Sequence, residues 1–324
     1  MPPYEETLLM NCIICDKIAN AKGSHIVPAS LIKNCVGKHY NEESYEIDSN
    51  NSSINTYFGR DNLKNTSTEI KQNHYKRDFV LCQKCEDKLA KLESEIAVNF
   101  LQKFREEKYS NNFEELNLEN GFEIIIPKKT SNKTFLAYFY SIILRECKIL
   151  EIEDNMQILS NEETENIKKF VLGYLYNEDN NNAIENYKLV IIFDKYCNKG
   201  SYVTTSNEFE KPYLFYFCEA IIQLFTSNPY DLGNYLFKET FNDIKQTKSK
   251  ILVGPKEFYA TLRNKMAEKL ADTFMTKGIL KICELNGKSY DENFIEYQNF
   301  IENSKEQMEN KMIALNKLIE KYGG

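Results

Sequence analysis

The sequence has 324 residues, 42% of them hydrophobic, and a formal net charge of −7. These values exclude general disorder, predict two domains, and argue mildly against a constitutive, non-specific DNA-binding protein, which would carry excess positive charge. No stretch approaches the roughly 18 consecutive apolar residues of a membrane span, and the N-terminal MPPYEETLLMNC carries glutamates where a signal peptide has Lys or Arg. We therefore expect a soluble, cytoplasmic protein with no membrane partner.

The first motif along the chain is one half of a paired cysteine pattern. Cys12 and Cys15 form one C-x-x-C pair, and Cys82 and Cys85 form a second pair after 66 intervening residues, 16–81. In a tight turn or a first helical turn, this spacing directs two sulfur atoms towards one tetrahedral ion. The long separation between the pairs is tolerable, because the entropic cost of closing a loop grows only logarithmically with its length. The pattern predicts one structural Zn²⁺ bound by four thiolates; the alternative is an ordinary set of free cysteines.

The remaining cysteines give no sign of a disulfide framework, because a total of nine is an odd number in a large chain. Free cysteine usually packs as a small hydrophobic side chain. We expect burial of the five cysteines outside the pairs, which are Cys35, Cys147, Cys197, Cys218 and Cys283.

Around the cysteine pairs, the sequence predicts a short strand, a long insertion and a helix. Residues 10–34 indicate a zinc knuckle followed by a strand and a turn, and Pro28 restricts any helix to begin no earlier than Ala29. Residues 35–75 are rich in Asn, Ser and Glu without a regular period, which predicts a long polar insertion. From Lys84 onwards, apolar residues recur at helical spacing, so a helix is expected to begin at the second cysteine pair.

The chain beyond residue 120 is predicted to contain both strands and helices. FEIIIP, NYKLVIIFDKY and GSYVTTS have the composition of strands, whereas YLFYFCEAIIQLF fits either a buried strand or a buried helix. Ser131 precedes a strongly apolar helix. Ser160 and Glu163 form a capping-box pattern that opens another helix, which runs through Tyr176.

The C-terminal part is predicted to be helical and amphipathic. One helix runs from Pro255 to about Leu285, and another runs from Asp291 to the C-terminus. These helices offer a surface for a protein partner or a second copy of the chain. With a boundary in the polar stretch 106–121, the sequence predicts a helix-rich α+β protein with a zinc-binding domain at 1–110 and a mainly helical regulatory or interaction domain at 120–324.

The segments CIIC, SHIVP and LCQKCE resemble the zinc-bearing branch of the HNH, or His-metal-finger, endonucleases. In that superfamily, a first C-x-x-C precedes an acid-His-Ile-x-Pro strand, and a second C-x-x-C opens the helix of a ββα unit. The most specific matches are HIVP at 25–28 and LCQKCE at 81–86, and the likeness covers about the first hundred residues. It implies an N-terminal ββα domain of the treble-clef, HNH-like type. The pattern also resembles uncharacterised bacterial proteins associated with antiphage defence.

The resemblance implies hydrolysis of phosphodiester bonds in nucleic acid, with DNA expected more than RNA. His25 would act as general base towards water, because imidazole titrates near neutral pH. Mg²⁺ or Mn²⁺ would stabilise the leaving 3′-oxygen, and Glu86, directly after the last cysteine, is the candidate ligand of that second metal. The alternative for His25 is a purely structural role. The alternative for Glu86 is an acid that is favoured at the start of a helix by the helix dipole, without any bound metal.

Two positions depart from the superfamily pattern. Ser24 replaces the metal-binding acid that precedes the histidine, and a hydroxyl binds a hard cation less well than a carboxylate. The Asn that braces the histidine loop has no counterpart, because KRD occupies the stretch at 76–78. The missing carboxylate could come from Asp78, Asp61 or Asp87, and the sequence does not choose among them.

Several other polar residues have a functional and an ordinary interpretation. His74, in the basic stretch KQNHYKRDF, is a candidate for phosphate contacts, although a solvated loop is the more ordinary interpretation for both His74 and His39. Arg145 stands among apolar residues. If it is buried, it requires a partner such as Glu146, Glu151 or a ligand phosphate. We favour the alternative, in which Arg145 lies in water at the edge of the helix face. The competing function is a non-catalytic zinc module that binds nucleic acid or protein, including as a subunit of a defence complex.

Overall fold

A computed structural model describes residues 11–36, 43–47, 54–58, 76–196, 203–205, 212–226, 237–303, 315 and 317–322. The fold is mixed α+β, and its contacts divide the chain into two compact units, Met1–Lys256 and Glu257–Gly324. The predicted division into domains at 1–110 and 120–324 stays a prediction. Within the described parts of the chain, no helix combines the length and the apolar character that crossing a membrane requires.

The N-terminal segment contains two short strands that close a long excursion of the chain. Strand β1 (Ser24–His25) pairs antiparallel with β4 (Lys76–Arg77), so that His25 lies opposite Lys76. Helix α1 (Ala29–Val36) begins directly after Pro28, which agrees with the expected limit on a helix start, although the sequence predicted a turn here rather than a helix. An antiparallel hairpin of β2 (Glu43–Ile47) and β3 (Ile54–Phe58) lies inside the predicted polar insertion and was not expected from its composition.

Helix α2 (Gln83–Ile96) begins at the second cysteine pair, as predicted. It continues as a π-helical turn, Ala97–Leu101, which carries Phe100 into the core. The ring of Phe100 makes edge contacts with Phe135 and Phe193, at centroid distances of 5.3 Å and 5.1 Å. The helix that carries the second cysteine pair is thereby packed directly on the rest of the first unit.

A seven-stranded sheet forms the larger part of the first unit. Its strand order is β5-β6-β11-β7-β10-β9-β8, and every neighbouring pair is antiparallel except β11 and β7, which are parallel. The strands are β5 (Phe113–Asn117), β6 (Glu123–Pro127), β7 (Lys188–Phe193), β8 (Val203–Thr205), β9 (Tyr213–Phe217), β10 (Ala220–Phe225) and β11 (Ile251–Val253).

The strand predictions for FEIIIP, NYKLVIIFDKY and GSYVTTS are confirmed by β6, β7 and β8. The ambiguous segment YLFYFCEAIIQLF forms the hairpin of β9 and β10, with Cys218 in a left-handed conformation (φ 57°) at the turn. Strands buried on both faces lack the polar–apolar alternation that separates a strand from a buried helix, which explains the ambiguity.

Helix α3 (Asn132–Asp154) is the central helix of the first unit. The Ser131 side chain caps it by accepting a hydrogen bond from the Thr134 amide at 3.1 Å, and every residue from Phe135 to Leu144 is fully buried. A helix that is apolar on all sides requires packing partners on all sides. These partners include α2 and α4 (Asn161–Tyr176), and the predicted capping box of Ser160 and Glu163 opens α4.

The described residues of the second unit are mainly helical, as expected from the sequence after Pro255. The predicted continuation of the last helix through 304–314 lies outside the described residues. It contains α5 (Lys256–Asn286) and α6 (Tyr290–Asn303). Its small apolar core is formed by Ile279, Ile282, Tyr297, Leu315 and Leu318.

Candidate metal centre

The two cysteine pairs come together in a single cluster. The Sγ atoms of Cys12, Cys15, Cys82 and Cys85 all lie within 4.8 Å of one another, and those of Cys15 and Cys82 are 3.6 Å apart. A tetrahedral site with Zn–S bonds of about 2.3 Å requires sulfur atoms separated by about 3.8 Å. The cluster is therefore positioned to hold a metal ion such as zinc.

The first pair lies in a tight turn of the backbone. The Asp16 amide donates to the Cys12 carbonyl at 2.9 Å, the Cys12 amide donates to the Lys17 carbonyl at 2.6 Å, and Asp16 has a φ of 58°. Lys168 of α4 secures this turn, because its Nζ lies 2.7 Å from both Asp16 carboxylate oxygens. The left-handed residue turns the chain back after Cys15, so both thiols face the same side.

The second pair lies at the N-terminus of α2, where Cys82 is the N-cap residue and Cys85 is in the first turn. Several hydrogen bonds connect this segment to the first knuckle, among them Ile13 N to Val80 O at 3.1 Å, Ala21 N to Leu81 O at 2.9 Å, and Gln83 N to Asn20 Oδ1 at 2.8 Å. These bonds, with the pairing of β1 and β4, close the separation of 66 residues between the pairs (16–81).

The thiols of the cluster strongly affect one another's protonation. A hydrogen bond from Cys85 lowers the pKa of Cys12 to about 4, burial raises the pKa of Cys15, and the hydrogen bond with Cys12 raises the pKa of Cys85. One sulfur is thus stabilised as thiolate by the protons of its neighbours. A divalent cation would replace those protons and favour all four thiolates.

Tyr176, at the end of α4, lies against the cluster. Its hydroxyl is 3.7 Å from the Cys85 Sγ atom, and the amines of Lys84 and Lys88 lie 5.0 Å and 4.6 Å from its ring centroid. A hydroxyl that donates to a metal-bound sulfur reduces the charge on that sulfur and fixes its orientation. No sequence pattern pointed to Tyr176, because its contact with Cys85 joins residues 91 positions apart.

His25 is partly buried on β1. Among the described residues, its Nε2 atom is buried without a hydrogen-bond partner. Burial lowers the pKa of His25 to about 4, and the positive charges of Lys76 and Arg145 act in the same direction. The imidazole is therefore neutral at physiological pH.

The residues that flank His25 in space have distinct roles. Ser24 is fully buried, and its hydroxyl has no hydrogen-bond partner among the described residues. Asp78, one of the candidates for the missing carboxylate, is exposed and accepts a hydrogen bond from the Gly23 amide at 2.6 Å. Asp78 thus braces the segment that leads into the His25 strand.

Glu86 lies in the first turn of α2, and its Oε2 atom is buried without a hydrogen-bond partner in the described chain. Asp87, in contrast, is exposed and accepts a hydrogen bond from the Gln83 side chain at 2.8 Å. Among the described residues, the four cysteines are the only group of three or more His, Cys, Asp or Glu whose ligand atoms converge. Asp61, His39 and His74 lie outside the described residues.

The interpretation of Arg145 as a solvated residue was wrong. Its exposed fraction is 1%, and its partner is neither Glu146 nor Glu151 but Glu93, whose Oε1 atom lies 2.8 Å from the Arg145 Nη2 atom. Glu93 was missed in the sequence. The signal that could have found it is its position seven residues after Glu86, which places both acids on one face of α2.

Of the five cysteines outside the cluster, Cys147 and Cys218 are buried, as predicted, and Cys283 is only partly buried. The side chains of Cys35 and Cys197 lie outside the described residues. No protein-family model, curated protein or solved structure matches the chain. What is established for this site is a cluster of four cysteines positioned for metal binding.

Proposed function

We propose that the chain is a metal-dependent nuclease that hydrolyses phosphodiester bonds of nucleic acid, with DNA the more expected substrate. The observation that supports this proposal is the order β1, β4, α2, in which the two strands pair and the helix begins at the second cysteine pair. This order agrees with a ββα unit of the HNH, treble-clef type, in which the histidine lies on the first strand. The cysteine cluster would hold a structural Zn²⁺ that keeps strand and helix together.

His25 would be the general base. Its pKa of about 4 keeps the imidazole neutral at physiological pH, and its Nε2 atom has no hydrogen-bond partner in the described chain. Nε2 would take a proton from water as the water oxygen bonds to phosphorus and the 3′-oxygen leaves. Lys76, one of the cations that lower the pKa, also favours an anionic phosphodiester near this histidine.

Glu86 is the residue that would hold the second metal, because its Oε2 atom is a buried acceptor without a partner in the described chain. Mg²⁺ or Mn²⁺ bound there would supply stabilisation of the charge on the leaving oxygen. The Ser24 hydroxyl, also buried and without a partner there, would contribute at most a weak neutral ligand in the position where the superfamily has an acid.

The proposal is tested by incubating the purified, zinc-loaded chain with plasmid and single-stranded substrates in Mg²⁺ or Mn²⁺. We expect metal-dependent cleavage that His25→Ala reduces by about 100-fold or more, the range of general-base contributions. His39→Ala, at a histidine with no assigned role in cleavage, is the control. Cleavage that persists in His25→Ala would contradict the assignment of the base, and cleavage unaffected by Glu86→Ala would contradict the second-metal ligand.

The second candidate function is a zinc module that binds nucleic acid or protein without cleaving it. Ser24 in place of an acid, and the lack of a second convergent ligand group among the described residues, favour this alternative. Retention of labelled DNA without cleavage, by wild type and His25→Ala alike, would support it. A role as effector or subunit in antiphage defence would add a dependence on partner chains, which light scattering after co-expression with genomic neighbours would detect.

A further inference from the structure

A single buried guanidinium joins three elements of the first unit. Arg145 of α3 donates through Nη1 to the His25 carbonyl at 2.6 Å and through Nε to the Ser141 carbonyl at 3.1 Å. Its Nη2 atom lies 2.8 Å from the Glu93 Oε1 atom of α2. The strand that carries His25 is thereby attached to both the cysteine-bearing helix and the central helix of the core.

The pair of Arg145 and Glu93 is interdependent. Burial raises the pKa of Glu93, and the charge of Glu86 acts in the same direction, whereas Arg145 opposes both effects. A buried charge that loses its partner is strongly destabilising, because its desolvation is no longer compensated. Any role of Arg145 at His25 must therefore be separated from this effect on stability.

The face of α3 that carries Arg145 also carries a second buried polar side chain, Tyr138. Tyr138 lies two helical turns before Arg145, and its hydroxyl is buried without a hydrogen-bond partner among the described residues. Burial dominates in raising the pKa of Tyr138, and the Ser30 hydroxyl and the Glu93 charge also act on it, so these groups lie near one another. Ser30 of α1 and Glu93 of α2 therefore lie beside the face of α3 that carries Tyr138 and Arg145.

We propose that Arg145 is the positioning residue of the His25 site. By holding the His25 carbonyl and the Glu93 carboxylate on one guanidinium, it fixes the strand that presents the imidazole. Helix α3 thus completes a site whose other residues all come from the segment of β1, β4 and α2. The activity part of this inference depends on the proposed nuclease function.

The chain contains a matched control for this arrangement. Arg105 pairs with the fully buried Glu219 and also donates to the Asp194 carbonyl at 2.7 Å and the Lys195 carbonyl at 3.2 Å. Like Arg145, it combines one buried carboxylate with main-chain carbonyls, but these partners belong to the sheet and its turns. Substituting Arg105 tests the loss of such an arrangement away from His25.

The first experiment compares Arg145→Met, the double variant Glu93→Gln/Arg145→Met, and Arg105→Met, all as zinc-loaded full chains. We expect Arg145→Met to lower the cleavage rate by about 100-fold, the effect of a misplaced catalytic group. Because the double variant removes both buried charges, it should recover the melting temperature but not the cleavage rate. Recovery of cleavage together with stability would show a purely structural role and overturn the inference.

The second experiment does not depend on cleavage. The chain has three histidines, so the His25 imidazole resonance is identified by its loss in His25→Ala. Arg145→Met should shift this resonance and raise its titration midpoint, with Lys76, Glu86 and Glu93 still present, whereas Arg105→Met should leave it unchanged. Arg145→Lys keeps the positive charge but lacks the planar guanidinium, so it should also shift the resonance. This variant replaces Arg145→Met in the experiment if the methionine variants do not fold.

These two experiments separate the failure of the inference from that of the nuclease proposal. If the wild-type chain cleaves no substrate but its His25 resonance responds to Arg145 and not to Arg105, the nuclease proposal fails and the positioning role stands. An unchanged His25 resonance in both Arg145→Met and Arg145→Lys would overturn the positioning role, whatever the cleavage assay gives.

Discussion

The Sγ atoms of Cys15 and Cys82 lie 3.6 Å apart although 67 positions separate the two residues in the sequence. Neither cysteine pair could bind a tetrahedral ion alone, because each supplies only two sulfur atoms. The proximity depends on hydrogen bonds that join residues 13–21 to residues 79–83. The metal centre is therefore complete only when these two stretches of the chain are folded together.

We predict one zinc ion per chain. Cys12→Ser or Cys85→Ser should abolish stoichiometric zinc and lower the melting temperature, because binding of a structural zinc contributes about 10 kcal/mol or more to the folding of small zinc domains. Elemental analysis with differential scanning calorimetry measures both effects. Cys283→Ser, in the second unit, is the control and should retain zinc; zinc-free wild-type protein of unchanged stability would contradict the prediction.

The hydroxyl of Tyr176 should tune the metal centre without being essential to it. Tyr176→Phe removes the hydroxyl beside the Cys85 Sγ atom, and we expect zinc affinity to fall by about tenfold, as for other groups that contact metal ligands. Competition with a chromophoric chelator measures this change. Tyr174→Phe, which loses a 3.0 Å hydrogen bond to Thr134 instead, should leave the affinity unchanged.

The brace between Asp78 and Gly23 should contribute to stability. Asp78→Ala leaves the Gly23 amide without this acceptor, and we expect a loss of about 1 kcal/mol in the free energy of unfolding, typical of one hydrogen bond. Urea unfolding measures the loss. Asp87→Ala removes an exposed carboxylate and only an exposed bond between side chains, from Gln83, whose amide water can satisfy; it should change stability by less than about 0.5 kcal/mol. An equal effect of both substitutions would show that the brace is unimportant.

His25 should make the protein less stable in mild acid. Its pKa is about 4 in the folded state and 6.5 in a model peptide, so the unfolded chain binds the proton first. The contribution of neutral His25 is therefore complete above pH 6.5 and declines as the pH falls towards 4, by at most about 3 kcal/mol. The difference in melting temperature between wild type and His25→Ala is measured from pH 8 to pH 5. This difference separates the contribution of His25 to stability from the effect of protonating the cysteines. A difference that does not change with pH would contradict the folded-state pKa.

Local features of the fold could be predicted from the sequence because neighbouring residues determine them. Pro28 sets the start of α1, and the side chains of Ser160 and Glu163 satisfy the first amides of α4 within one turn. The metal cluster was also predictable, because the C-x-x-C spacing itself directs two sulfur atoms to one side.

Long-range features could not be predicted in the same way. The partner of Arg145 is Glu93, 52 positions earlier, and the nearby acids Glu146 and Glu151 were the wrong candidates. The pairing of β11 with both β6 and β7 likewise depends on tertiary packing rather than on the pattern of a three-residue strand.

The π-helical turn after α2 has a mechanical consequence. One continuous helical rod leads from Cys82 to Phe100, whose ring lies 5.1 Å from that of Phe193 at the end of β7. A displacement of the sulfur-bearing end would therefore be transmitted along the rod to the middle of the sheet. Slow deuterium uptake at the backbone amides of β7 should become faster when a chelator removes the ion.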